Sequence, residues 1–148
     1  MDKERIEFLV REGRLRKRSI DTPRIKSLLA SATENSSAVR KIRITDETAT
    51  LVFREFYENI RQLGDAKWWS LGYEAMNHDV SMEILKEMNI RESLRLHNIN
   101  RFRRTRNNAN YRGYKVTKEQ AMEIADFWDA CGEDMIQKIK AYLRDRKI

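Results

Sequence analysis

The chain has little cysteine, proline, glycine or histidine: one, one, five and two residues of 148. A single cysteine, Cys131, excludes an internal disulfide framework and a cysteine metal cluster. With only Pro23 and few glycines, little interrupts a long helix, and the alternating Val/Ile/Thr runs that mark strands are nearly absent. No apolar run approaches a membrane span, and the opening M-D-K-E-R-I-E-F-L-V-R is charged where a signal peptide would be apolar. There is no P-loop, no dinucleotide-binding glycine fingerprint and no H-E-x-x-H. His78 and His97 are too far apart for a helical metal pair, and neither is grouped with acidic or cysteine ligands, so each reads as an ordinary polar residue. A nicotinamide, flavin or zinc enzyme does not fit, and no cofactor or metal site is expected. The expectation that remains is a soluble, cytoplasmic, all-α protein with no membrane role. Residues 1–148 should form one domain, an up-and-down bundle of five to six helices without internal repeats.

What is present is charge and helical periodicity. Thirty Lys and Arg stand against 23 Asp and Glu, a net charge of +7, which favours a polyanionic partner but does not prove one. Residues 1–20 form a basic N-terminal segment in which 2–18 read as an amphipathic helix, with Ile6, Leu9, Val10 and Leu15 on one stripe. Its closing run of Arg11, Arg14, Arg16, Lys17 and Arg18 suits a helix C-terminus or a nucleic-acid arm. The bundle proper spans 22–145. Thr22-Pro23 opens a helix to about Arg40, whose S-A-T-E-N-S-S-A middle is weak enough to bend. Thr45 caps a helix over 46–64 with Ala49, Val52, Phe53, Phe56, Tyr57, Ile60 and Leu63 inward and Arg54, Glu58, Arg61 and Asp65 on the polar face. An aromatic-rich connection, 65–77, precedes a helix over 80–89. A further helix covers 91–111, with Leu94, Ile99 and Phe102 inward. Thr117 and Gln120 make a capping box for a final helix over 118–145, in which Gly132 invites close approach of a neighbouring helix.

One stretch is too polar to be core: R-F-R-R-T-R-N-N-A-N-Y-R-G-Y, Arg101 to Tyr114. Arginine offers a planar fork of donors suited to phosphate, and Asn and Tyr add neutral hydrogen bonds and a stacking face. A charge run of this kind is also what a solvated helix end looks like.

In its order of helices and in Arg106-Asn107-Asn108-Ala109-Asn110-Tyr111, the chain resembles the HEPN domain, a helical nucleotide-binding family found among prokaryotic ribonuclease toxins and the partners of small nucleotidyltransferases. The likeness covers most of 22–145. The family motif is Arg, commonly followed by Asn or another polar residue, then His after four to six residues; here the Arg and the spacing match and Tyr111 stands where the His would be. The resemblance implies a homodimer that binds RNA or nucleotide and, in active members, metal-independent RNA cleavage by attack of the ribose 2′-hydroxyl on the adjacent phosphate. Arg106 and Tyr111 would be the reacting pair. Arg103, Asn107, Asn110, Arg112 and Tyr114 would hold nucleic-acid phosphate, and Arg54, Glu58, Arg61 and Asp65 would form a supporting wall. Tyrosine, with a reference pKa near 10, is a poor base at neutral pH, so binding is implied more firmly than cleavage. Arg106 and Tyr111 lie about 140° apart on an ideal helix, so their meeting requires the helix to loosen or end before Tyr111. Two other readings stay open: a non-catalytic subunit of a nucleotidyltransferase antitoxin, with Tyr111 or Tyr114 as AMP acceptor, and a basic bundle that binds nucleic acid through its surface alone.

Overall fold

The computed structural model describes residues 1–148 as an all-α bundle with one minimal sheet. In chain order the elements are α1 (Lys3–Arg11), β1 (Leu15–Lys17), α2 (Thr22–Arg40), α3 (Ala49–Ser70), β2 (Tyr73–Ala75), α4 (His78–Glu83), a 3₁₀ turn (Ile84–Glu87), a second 3₁₀ turn (Ser93–His97), α5 (Asn98–Tyr111) and α6 (Lys118–Asp145). The centre is α3, packed between α2 and α6, with α4 and α5 against it as well. Its stripe of Val52, Phe53, Phe56, Tyr57, Ile60 and Leu63 is buried, and the buried apolar side chains of all elements join in one cluster. Edge-to-face aromatic contacts run from Phe53 to Phe102 and on to Phe127 of α6, at 6.3 and 5.2 Å between centroids. Each such ring contributes about 1.5–3 kcal/mol by leaving water.

Several boundaries differ from the sequence reading, for identifiable reasons. The N-terminal helix stops at Arg11, not 18. Gly13 takes a left-handed φ of +69°, and Leu15 is then buried from a strand. That strand pairs antiparallel with β2, Arg16 opposite Glu74, so the basic run is partly a hairpin edge. The cap of α2 is Asp21, whose carboxylate accepts the Arg24 N–H at 3.0 Å, and not Thr22. The weak middle of α2 does not bend out of helix; Thr33 and Ser36 donate their hydroxyls back to the Leu29 and Thr33 carbonyls instead. Before α3, Thr45 and Thr48 exchange backbone-to-hydroxyl hydrogen bonds, which moves the helix start from 46 to 49.

Further along, α3 runs six residues past the expected end, through Gly64 to Ser70, so half of the aromatic connection is helix. The segment expected as a helix over 80–89 is α4 plus a 3₁₀ turn, and the one over 91–111 opens with another 3₁₀ turn. Leu94, expected inward, is 84% exposed on that turn. Gly132 does not admit a neighbouring helix: a Cβ there would lie 2.7 Å from the Trp128 ring one turn earlier in α6. The last helix agrees with its expected bounds, opened by a complete Thr117–Gln120 capping box.

Candidate phosphate-binding site

The polar faces of α3 and α5 and the start of α4 meet in one cluster, and Gly64 is the reason α4 is there. A Cβ at Gly64 would sit 1.9 Å from the Ser81 carbonyl oxygen, so only glycine allows the two backbones to come this close. Two hydrogen bonds fix the register. The buried Trp68 indole donates to the Val80 carbonyl at 2.7 Å, and the Ser81 hydroxyl donates to Asp65. Asn77 caps α4 by accepting the Val80 N–H. With α4 held against the 64–68 turn of α3, His78 falls beside Tyr57, two turns earlier on α3, with ring centroids 6.5 Å apart.

Arg106 approaches Tyr57 from α5. Its guanidinium carbon lies 5.7 Å from the Tyr57 ring centroid and 5.8 Å from that of Tyr111, close enough for a cation–π attraction to each. The helix ends at Tyr111 as its expected bound has it, and the turn follows at Gly113 with φ +68°; the loosening before Tyr111 that ideal helix geometry made a condition for the pair to meet does not occur. The pair meets with the helix intact, the long Arg106 side chain bringing its guanidinium to the Tyr111 ring.

The charges around this point are largely matched. Arg61 is held by both Glu58 and Asp65, which with the Glu58 hydrogen bond keep its proton more firmly bound than usual. Arg103 pairs with Asp79 at 3.3 Å. Arg54 donates to Asn110 at 3.1 Å. Arg106 has no carboxylate partner. It is a half-buried cation held by aromatic faces, with donors left for an incoming anion.

Burial sets the protonation of the neighbours. Tyr57 is 2% exposed and its hydroxyl has no hydrogen-bond partner. Desolvation pushes it up to about 12, against the pull of Arg106, so it stays a proton donor. Desolvation, then the positive charges of Arg61 and Arg106, hold His78 below the ordinary imidazole value, with Glu58 and Asp65 pulling the other way. Asp65 is raised, first by burial, against the Ser81 hydrogen bond and Arg61.

The structure therefore brings together Arg106, Tyr111, Arg103, Arg54, Asn110, Glu58, Arg61 and Asp65 on the α3–α5 side. Asn107 is half-buried on the same helix face as Arg103 and Asn110. Tyr114 is not at this point: it lines a separate cavity of about 270 Å³ with Thr105, Asn108 and Gln120, and Thr105 and Asn108 face away from Arg106 on the helix. Arg112 is exposed past the helix end. Tyr57 and His78 are the residues that sequence reasoning missed. Tyr57 read as core, and His78 read as an ordinary polar residue because the groups around it come from distant parts of the chain. Searches against family models, curated proteins and solved structures give no match for this chain.

Proposed function

We propose that the protein binds single-stranded RNA, or a nucleotide, through phosphate held at Arg106, as the resemblance to HEPN domains implies. The observation that carries this reading is the state of Arg106 itself. Of the arginines in this cluster, Arg61 and Arg103 are matched to Glu58, Asp65 and Asp79 and Arg54 donates to the neutral Asn110, whereas Arg106 has neither a carboxylate nor an amide partner and lies against two tyrosine rings. A phosphate there would accept the guanidinium fork, and the exposed Tyr111 ring, 77% accessible, offers a face on which a base stacks. The net charge of +7 adds long-range attraction. Metal-independent cleavage of the bound strand is the reaction the resemblance attaches to such a site.

The test is RNA affinity of Arg106→Ala beside Arg112→Ala, both exposed to the same labelled single strand. Arg106→Ala should weaken binding on the order of tenfold or more, the scale of a charge-assisted contact. Arg112→Ala, which removes the same charge from an exposed position at the end of α5, should change it by about the screened value of one surface charge. Equal losses in the two variants would mean that binding is a property of the basic surface and not of this site.

A further inference from the structure

We infer that a cavity between the end of α3 and α6 binds a small aliphatic carboxylate, its charged end on Lys67 and its hydrocarbon on the apolar lining. The cavity measures about 570 Å³, a size typical of small-molecule sites, and none of the residues that line it belongs to the Arg106 cluster. Its apolar wall is drawn from elements far apart in the chain: Ile6 of α1, Leu71 just past α3, Ile84 and Met88 at the 3₁₀ turn, and Ala141 of α6. Lys67, in the last turn of α3, is the half-buried cation among them.

The state of that cation points to the ligand. Two lysines of the chain are not exposed, Lys67 and Lys86. Lys86 donates to the Asn100 side chain at 2.9 Å. Lys67 makes neither an ion pair nor a side-chain hydrogen bond; its Nζ lies 4.2 Å from the centroid of the Tyr142 ring. A ring face attracts a cation but does not accept the three N–H bonds of an ammonium as water or a carboxylate does. The acids at the cavity are turned elsewhere: Glu87 pairs with the Met1 amino group and Asp145 with Arg144 at 3.9 Å. The remaining charges, Lys138 and Arg146, are positive, and the Arg146 guanidinium carbon lies 4.8 Å from the centroid of the same Tyr142 ring. Desolvation, and then Arg146, hold Lys67 below the ordinary lysine value, with no carboxylate acting against them. A ligand carboxylate supplies the missing anion, and a hydrocarbon body covers the wall that water now wets. Phosphate fits less well, because more charged oxygens would lose water against the same apolar wall.

The experiment uses the full chain, with octanoate and the neutral octan-1-ol as probes and calorimetry as the readout. Lys67→Met keeps the unbranched stem and removes the charge; Lys138→Met removes an exposed charge from the same lining. Octanoate should bind wild type about tenfold or more tightly than it binds Lys67→Met, the scale of one charge-assisted contact. Lys138→Met should stay within about twofold of wild type, and octan-1-ol should bind wild type and Lys67→Met alike. In wild type, acetylation of the Lys67 amine by acetic anhydride, read by peptide mass, should slow more with octanoate than with octan-1-ol, because a carboxylate holds the proton on the amine and the protonated amine does not attack. This labelling decides the matter even where the variant fails to fold. Wild-type protein that binds no octanoate, or binds it no better than Lys67→Met, overturns the inference. So does equal protection by the two probes. Protection of Lys67 that grows with protein concentration in the absence of either probe also overturns it, by giving the cavity to a second copy of the chain.

Discussion

Tyr57 and His78 each stand in a state that costs the folded protein something. A buried hydroxyl without a partner costs about 1–3 kcal/mol relative to one that is satisfied, and Tyr57 is such a group. His78 resists protonation in the fold, whereas in the unfolded chain it titrates near the ordinary value of about 6.5. The unfolded state therefore binds more protons once the pH drops below that value. The stability His78 allows is fully present above about pH 6.5 and is lost as pH falls through its lower folded value. Asp65 has the opposite sign: its folded value is raised, so its contribution is present below the ordinary carboxylate range and is lost as pH rises. Comparing wild type with His78→Gln at each pH separates the two. The urea midpoint of wild type should drop between pH 7.5 and 5, and that of His78→Gln should drop less. Parallel profiles would show that His78 titrates in the fold as it does in water.

At the scale of elements, the contact that matters most for the site is between α3 and α4, and it turns on the absence of one methyl group. Gly64→Ala would place a Cβ 1.9 Å from the Ser81 carbonyl oxygen, a backbone atom that cannot swing aside as a side chain would. Alanine favours an isolated helix over glycine by about 1 kcal/mol, so a propensity argument alone predicts stabilisation. Packing predicts the reverse, a loss of about 1–3 kcal/mol by overpacking, read as a lower thermal midpoint. It also predicts that α4 moves away and takes His78 from Tyr57. A variant more stable than wild type would contradict the close approach.

The same contact shows what the sequence could and could not tell. The last helix was legible because its cap and its stripe are local: Thr117, Gln120 and a run of inward residues from Ala121 to Leu143. The helix expected over 46–64 stopped at Gly64, which in the structure sits inside α3 to let another backbone in. The Arg106–Tyr111 pair was legible as a motif and the end of its helix at Tyr111 was legible too, but that the two side chains meet without any loosening of the helix was not. His78 gave no signal because Tyr57, Arg61 and Arg106 reach it through the tertiary fold, not through spacing along the chain. Leu15 followed the helical stripe in register, and only the left-handed turn at Gly13 sends it into a strand.

For the molecule as a whole, the positive balance of +7 and the near-neutral pairing at the site make different predictions about salt. If RNA were held by the basic surface generally, many phosphates would be neutralised and affinity would fall steeply with salt, by about 0.7 in the log–log slope per phosphate contacted on a single strand. The site argues for few such contacts. Arg61 and Arg103 already spend their charge on Glu58, Asp65 and Asp79, which leaves Arg106, with Arg54 held by a neutral Asn110 beside it. Two or so phosphates correspond to a slope of about −1 to −2, the remaining affinity coming from stacking on Tyr111 and from neutral donors, which salt does not screen. Titrations of one RNA from about 50 to 300 mM salt, a range over which the Debye length falls well below the span of the surface charge, should give that shallow line for wild type. Arg106→Ala should flatten it by about one contact, about 0.7. A steep wild-type slope that Arg106→Ala leaves unchanged would assign the binding to the net charge and remove the reason for placing phosphate between Tyr57 and Tyr111.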